Sequence, residues 1–98
     1  MSNWRITQPD LPGIYKASYY SNNNVVRYWN GKYWSMPVYI GVSGLHKNST
    51  LNDLGKRTDV GDKLMMYWSD EWVDSWKPSK EFIINYVNEN IKNEQTPT

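Results

Sequence analysis

Apolar and polar positions along residues 25–36, VVRYWNGKYWSM, place two short aromatic runs on either side of Asn30-Gly31. Asn-Gly between β-formers predicts a two-residue hairpin, because both central residues of a type I′ turn need a positive φ. That loop sets Trp29 opposite Lys32, Tyr28 opposite Tyr33, Arg27 opposite Trp34 and Val25 opposite Met36. The preceding run, residues 13–20, extends the ladder through a turn at residues 21–24, with Tyr20 opposite Val25. One face of this meander then carries Tyr15, Ala17, Tyr19, Val26, Tyr28, Tyr33 and Ser35. It holds no charge and is the face expected to be buried. The other carries Ile14, Lys16, Ser18, Tyr20, Val25, Arg27, Trp29, Lys32, Trp34 and Met36, and its mixture of cations and indoles makes it the expected contact face.

The remaining pattern completes a single α+β domain over residues 1–98: a small antiparallel β-meander of four to six strands, as a sheet or half-barrel, with one C-terminal α-helix packed on it. Trp4 and Ile6 read as a short edge strand. Pro37 interrupts the third strand at an edge or bulge, closing the meander of residues 12–42. Residues 43–62 form a long polar loop with a single helical turn, in which Thr50 caps, Leu51 and Leu54 share a face and Gly55 follows the last turn. Residues 63–77 read as a second hairpin turning at Asp70-Glu71. Ser79 caps a helix over residues 79–93, with Phe82, Ile83, Tyr86, Val87 and Ile91 as its apolar stripe. Residues 94–98 are a polar tail expected to fray.

Composition narrows the chemistry. The net charge of +1 supplies neither the acidity of a nucleic-acid mimic nor the basicity of a dedicated nucleic-acid binder. Cysteine is absent, so thiolate nucleophiles, disulfides and cysteine-zinc sites are excluded together. No apolar run has the length of a membrane span and residues 1–13 lack a signal core, so a cytoplasmic, membrane-free protein is expected. Aromatic content is unusual, with six Trp and eight Tyr against one Phe. Such residues build cores in aliphatic-poor domains, and their polar tips also suit binding surfaces.

The chemical motifs are sparse. Gly41, Gly44 and Lys47 lack phosphate-loop spacing, His46 has no partner at metal spacing, and Asp59 and Asp62 lack the other oxygens of a calcium loop. No cofactor and no metal is expected. Gly13-Ile14-Tyr15 and Tyr39-Ile40-Gly41 reproduce the two tripeptides of the GIY-YIG endonucleases in order. That resemblance implies a metal-dependent nuclease with Tyr15, Tyr39 and Arg57 as site residues, and Glu71 or Glu81 as metal ligand. A broader pattern is Trp4, then Leu11-Pro12-Gly13 with Tyr15, Trp29-Asn30-Gly31 with Trp34, and Val73 with Trp76 and Pro78. This resembles small phage and prophage domains of unknown function, and it implies an accessory protein that acts by binding.

The leading expectation is therefore a non-enzymatic binding module, phage or prophage encoded, that inhibits or modulates a host or phage protein. Its contact residues would be Lys16, Arg27, Trp29, Lys32 and Trp34, the indoles anchoring and Arg27 supplying charge. Two alternatives stay open: the GIY-YIG-like nuclease, and a single-stranded nucleic-acid binder that stacks bases on tryptophan.

Overall fold

The computed structural model describes residues 4–19, 22–47, 49–58 and 67–91. In chain order it has strands β1 (Gly13–Tyr19), β2 (Asn22–Trp29), β3 (Val38–Gly41) and β4 (Gly44–Leu45), the 3-10 helix η1 (Leu51–Gly55), strand β5 (Tyr67–Ser69) and helix α1 (Lys80–Asn90). The strands form one open antiparallel sheet in the order β4-β3-β2-β1-β5, with α1 packed on it, so the chain has the expected α+β fold. Beyond β5, Arg5 and Trp68 exchange two backbone hydrogen bonds of 2.8 and 2.9 Å, which lays the N-terminal edge segment along the sheet.

Two registers differ from those the turn chemistry predicts. In the central hairpin Trp29 bridges Trp34 rather than Lys32, and the Ser35 amide donates to the Tyr28 carbonyl at 2.9 Å. The Asn30 amide donates to the Tyr33 carbonyl at 3.2 Å, so the ladder closes on that pair and the turn falls at Gly31 and Lys32. The Asn30 side chain accounts for this shift, because its Oδ1 accepts from the amides of Lys32 (2.8 Å) and Tyr33 (2.7 Å) and so holds the turn one residue later than Asn30-Gly31. Gly31 keeps the positive φ, 98°. A slip of two leaves every side chain on its face.

The β1–β2 register has the larger consequence. Val25 lies opposite Ala17, where Tyr20 was expected, and Tyr15 lies opposite Arg27. Strand β2 begins at Asn22, so asparagines that read as loop belong to the ladder, and an irregularity between Ala17 and Tyr19 adjusts the pairing. Tyr20 and Ser21 lie outside the described residues. A slip of odd length exchanges the faces of one strand relative to the next. Tyr15 and Ala17 thereby join Arg27 and Trp29, while Ile14 and Lys16 join Tyr28 and Val26.

Both faces are buried as a result. On the helix side, Ile14, Val26, Tyr28, Val38 and Ile40 pack with Leu51, Leu54, Trp76, Ile83, Val87 and Ile91. On the aromatic side, Trp29, Trp34 and Trp68 pack with Tyr15. The Tyr15 ring meets Trp68 edge-on at 4.9 Å and Trp34 at 6.1 Å, both favourable quadrupole geometries. Trp68 Nε1 donates to the Thr7 carbonyl, and the Tyr15 hydroxyl donates to the Leu11 carbonyl at 2.6 Å, tying residues 7–11 to this face.

The polar connection after β3 is structured by short devices. Met36 leaves the hairpin when its amide donates to the Lys56 carbonyl (2.7 Å), and beyond Pro37 the chain resumes as β3, where Val38 faces Val26 and Tyr39 faces Val25. This replaces the expected Val25–Met36 pair. Thr50 Oγ1 accepts from Asn52 N at 3.3 Å to cap η1, whose Leu51 and Leu54 are buried as their spacing predicts. Residues 63–66 of the expected second hairpin lie outside the described residues; of the rest, β5 pairs with β1 and residues 72–76 carry no strand. The Trp72 and Trp76 rings meet edge-on at 5.5 Å, Trp76 enters the helix-side core, and Lys77 N donates to the Gly41 carbonyl at 3.0 Å. Asp-Glu has no special turn chemistry, whereas β1 offers Trp68 an unpaired edge beside Ala17.

Helix α1 opens with Ser79, whose Oγ accepts from Phe82 N at 3.2 Å, and it ends at Asn90 with Ile91 as cap. Residues 92–98, including the expected last turn and tail, lie outside the described residues. The buried line is Ile83, Val87 and Ile91, one residue per turn. Phe82 is 56% exposed, a correction to the expected stripe, because it sits off that line with Tyr86 on one flank. Ile84 and Asn88 occupy the other flank.

Two expected outcomes test this packing. Trp34→Ala should destabilise the domain by about 3–5 kcal/mol, as for a large aromatic removed from a core. Gly31→Val should cost about 1–3 kcal/mol through left-handed backbone strain. Urea denaturation followed by circular dichroism measures both, and a Trp34→Ala midpoint within error of the parent would exclude a packed aromatic face.

Candidate functional site

The five contact residues expected from sequence do not share an open face. Arg27 is 0% exposed, Trp29 3% and Trp34 7%. Arg27 Nη1 donates to the Ser35 carbonyl at 2.8 Å, so the guanidinium is a structural donor inside the sheet. Lys16 lies on the opposite face, half-buried, with its ammonium 5.0 Å from the Trp4 ring. Among the five, Lys32, in the hairpin loop, is the exposed one. The single β1–β2 slip explains this rearrangement, because an odd shift moved the uncharged tyrosine strand onto the tryptophan side.

The residues of the nuclease resemblance are also dispersed. Tyr15 and Tyr39 point to the same side, but β2 lies between their strands. The Tyr15 hydroxyl is engaged with Leu11, the Tyr39 ring packs 6.2 Å from His46, and Arg57 lies over Tyr33. Glu71 is in the segment after β5 and Glu81 is exposed in the first turn of α1. Among the described residues no group of three His, Asp or Glu side chains could hold a metal ion.

Two concavities do exist, both on the helix side. The larger is an open cleft of about 340 Å³ between the start of β1 and helix α1. Pro12, Ile14, Ile84 and Val87 give it apolar walls, Tyr15 and Tyr28 line it, and Lys80 and Asn88 supply polar groups. Its volume lies at the lower end of the range for ligand sites, about 300–1,000 Å³. Ile84 is 38% exposed and Leu11, just before the cleft, is 70% exposed, so apolar surface continues out of it. The Lys80 ammonium lies 5.7 Å from the Trp72 ring, which keeps it near the first turn of α1.

The smaller concavity, about 80 Å³, lies between the hairpin loop and η1. Asn30, Tyr33, Ser35, Lys56 and Arg57 line it, together with Tyr28. Residues 56–58 are held there by backbone bonds, Met36 N to the Lys56 carbonyl and Thr58 N to the Trp34 carbonyl (3.0 Å), around the Ser35–Arg57 bridge. The Arg57 guanidinium consequently sits 3.7 Å from the Tyr33 ring centroid, with the Lys32 ammonium 5.6 Å from the same ring. Tyr28 lines both concavities, which makes them neighbours.

Burial pushes the phenols of Tyr28 and Tyr15 above their ordinary pKa, and for Tyr15 the carboxylates of Asp70 and Asp10 add to the effect. Both phenols are therefore neutral hydrogen-bonding groups at physiological pH, not bases.

Sequence reasoning missed Ile84, Lys80, Asn88 and Tyr28 as a set. One signal was present: Phe82, Ile83 and Ile84 are three consecutive apolar residues, more than a single helical stripe can bury. No membrane-crossing helix occurs among the described residues. No family model, curated protein or solved structure matches this chain.

Because the folded state holds the protons of Tyr15 and Tyr28 more tightly than the unfolded chain, stability from these groups is complete below the ordinary phenol value of about 10 and falls as pH rises through it. Denaturation midpoints measured from pH 8 to 11 should therefore decline above about pH 10, and Tyr28→Phe should make the decline shallower. The dispersion of Tyr15, Tyr39 and Arg57 predicts that plasmid and single-stranded DNA stay intact in Mg²⁺ or Mn²⁺. Cleavage lost in Tyr39→Phe would reverse that expectation.

Proposed function

We propose that the chain is a non-enzymatic binding module whose partner is a protein, gripped by insertion of an apolar side chain into the cleft between β1 and α1. The observation that carries this reading is the cleft itself. A small domain with few aliphatic residues leaves Ile84 partly in water beside a lined concavity when Val87, one turn on, is buried. An apolar wall with a few polar groups is the pattern of a recognition pocket, and it buries its surface only when occupied. The likeness of the aromatic and turn pattern to small phage and prophage domains supports an accessory role, in which a phage-encoded module inhibits or modulates a host or phage factor inside the cell.

The contact set proposed is Leu11, Pro12, Ile14, Lys80, Ile84 and Asn88, in place of the buried indoles. Removing apolar anchors at the centre of a protein contact commonly costs at least about 2 kcal/mol, about thirtyfold in affinity. Ile84→Glu should abolish capture of the partner from a lysate of a phage-sensitive bacterium while leaving the circular dichroism spectrum unchanged. Val42→Glu, in the exposed β3–β4 turn, should capture as the parent does. Equal capture by the Ile84→Glu and parent proteins would remove the cleft from the contact.

A further inference from the structure

The cleft between β1 and α1 has a polar group in its inner wall that a purely apolar grip leaves out. Tyr28 is 4% exposed and packs in the helix-side core with Ile14 and Val87. Its amide and carbonyl are bonded to Ser35, whereas its hydroxyl has no hydrogen-bond partner among the described residues. Burial holds that phenol in its neutral form, so it remains a donor, and Tyr28 lines the cleft and the smaller concavity alike. The second phenol of the cleft is already engaged, because the Tyr15 hydroxyl donates to the Leu11 carbonyl.

A buried hydroxyl that is cut off from water without gaining an acceptor carries its full desolvation cost. A wholly aliphatic occupant imposes that cost on Tyr28, and an occupant with an acceptor beside its apolar body does not. The sign of the acceptor follows from the lining, where Lys80 is the one charged side chain among the described residues. Lys80 is half-buried, and its ammonium is held at the start of α1 by the Trp72 ring, 5.7 Å away. Ile84 and Asn88 follow it at spacings of four residues, so cation, apolar wall and amide run in that order along one helix flank. An anionic acceptor attached next to an aliphatic group therefore fits the cleft better than a neutral one.

Resting on the cleft reading above, we propose that the partner is held by its C-terminus: an aliphatic last residue fills the cleft, and its α-carboxylate accepts hydrogen bonds from the Tyr28 hydroxyl and the Lys80 ammonium. In a C-terminal residue the carboxylate and the side chain share one Cα, so a single residue supplies both the acceptor and the apolar body. Asn88, beyond Ile84, is left for the preceding peptide group, which it can meet as donor or acceptor. Apolar surface continues out of the cleft over Leu11 and Ile84, and this favours the end of a chain over a free short acid.

The test is titration of the ¹⁵N-labelled chain with an acetylated peptide of two glycines and a terminal leucine, beside the same peptide ending in a carboxamide and beside isocaproate, a free acid with a similar aliphatic chain. The acid peptide should shift the amides of residues 13–15 and 80–88 and bind about tenfold more tightly than the carboxamide, as a charge-assisted hydrogen bond would give. Lys80→Gln should remove most of that preference. Tyr28→Phe, which keeps the ring in the core, should weaken the acid peptide about tenfold with an unchanged circular dichroism spectrum. Equal binding of the two peptides at residues 80–88, or parent-like affinity of Tyr28→Phe for the acid peptide, would overturn the carboxylate assignment and leave the cleft reading standing. Isocaproate binding as tightly as the acid peptide would replace the chain terminus with a free aliphatic acid. No shift at residues 80–88 with any of the three would overturn the cleft reading itself.

Discussion

Ser35 is the point on which the rest of the structure depends, because three stretches of chain are hydrogen-bonded there. Its amide donates to the Tyr28 carbonyl, its hydroxyl accepts from the Tyr28 amide (2.8 Å) and donates to the Met36 carbonyl (2.9 Å), and its own carbonyl accepts from Arg27. Across its other edge stands Arg57. The residue is 4% exposed, so every one of these groups would carry a desolvation cost if left unmet. A small hydroxyl at this position lets the hairpin strand be flanked by β2 on one side and residues 56–58 on the other. Without that double pairing, residues 56–58 have no reason to lie beside the hairpin, and the cationic corner does not assemble.

The same residue resolves a conflict within the aromatic face. A guanidinium buried among Trp29, Trp34 and Tyr15 loses its hydration, a heavy cost unless polar acceptors replace the water. The Ser35 carbonyl is such an acceptor, and it is available because the strand leaves the ladder at Met36. Arg27 thus belongs to the architecture: it is fully buried and its head is bonded to the backbone. This explains how a chain poor in aliphatic residues keeps both sides of a sheet dry, with aliphatic side chains and helix on one side and aromatic rings with one arginine on the other.

Much of this could be read from the sequence, and the misread parts share a cause. The helix start at Ser79, the cap at Thr50 with Leu51 and Leu54 buried and the interruption at Pro37 all follow from local rules with a residue-level mechanism, and of the expected edge strand a single bridge at Arg5 forms. Register failed because it is decided by turns, and the asparagines at 22–24 carry turn chemistry yet stand in a strand. Strands β1 and β2 gave no countervailing signal: with aromatics and aliphatics on both faces, neither alternation is penalised until the whole sheet is packed. A single odd slip then relocated the candidate contact face into the interior. The cleft was legible only as a surplus, three successive apolar residues at 82–84 where one buried line needs a single residue per turn. The Arg57–Tyr33 contact had no local signature, since it depends on a bridge between residues distant in sequence.

The division of cations in the fold bears on what the exposed surface is for. Arg27 is buried and bonded to the Ser35 carbonyl, Arg5 lies 5.3 Å from the Trp68 ring with Asp70 at 3.8 Å, and Lys16 lies over Trp4, each matched locally by a carbonyl, a ring or a carboxylate. At the hairpin tip two cations, Lys32 and Arg57, share the Tyr33 ring beside a cavity. A pair of exposed cation–ring contacts contributes roughly 1–2 kcal/mol at most, and mutual repulsion reduces that sum. The apolar cleft with the exposed Ile84 lies on the same side of the sheet, and Tyr28 lines it and this corner in common.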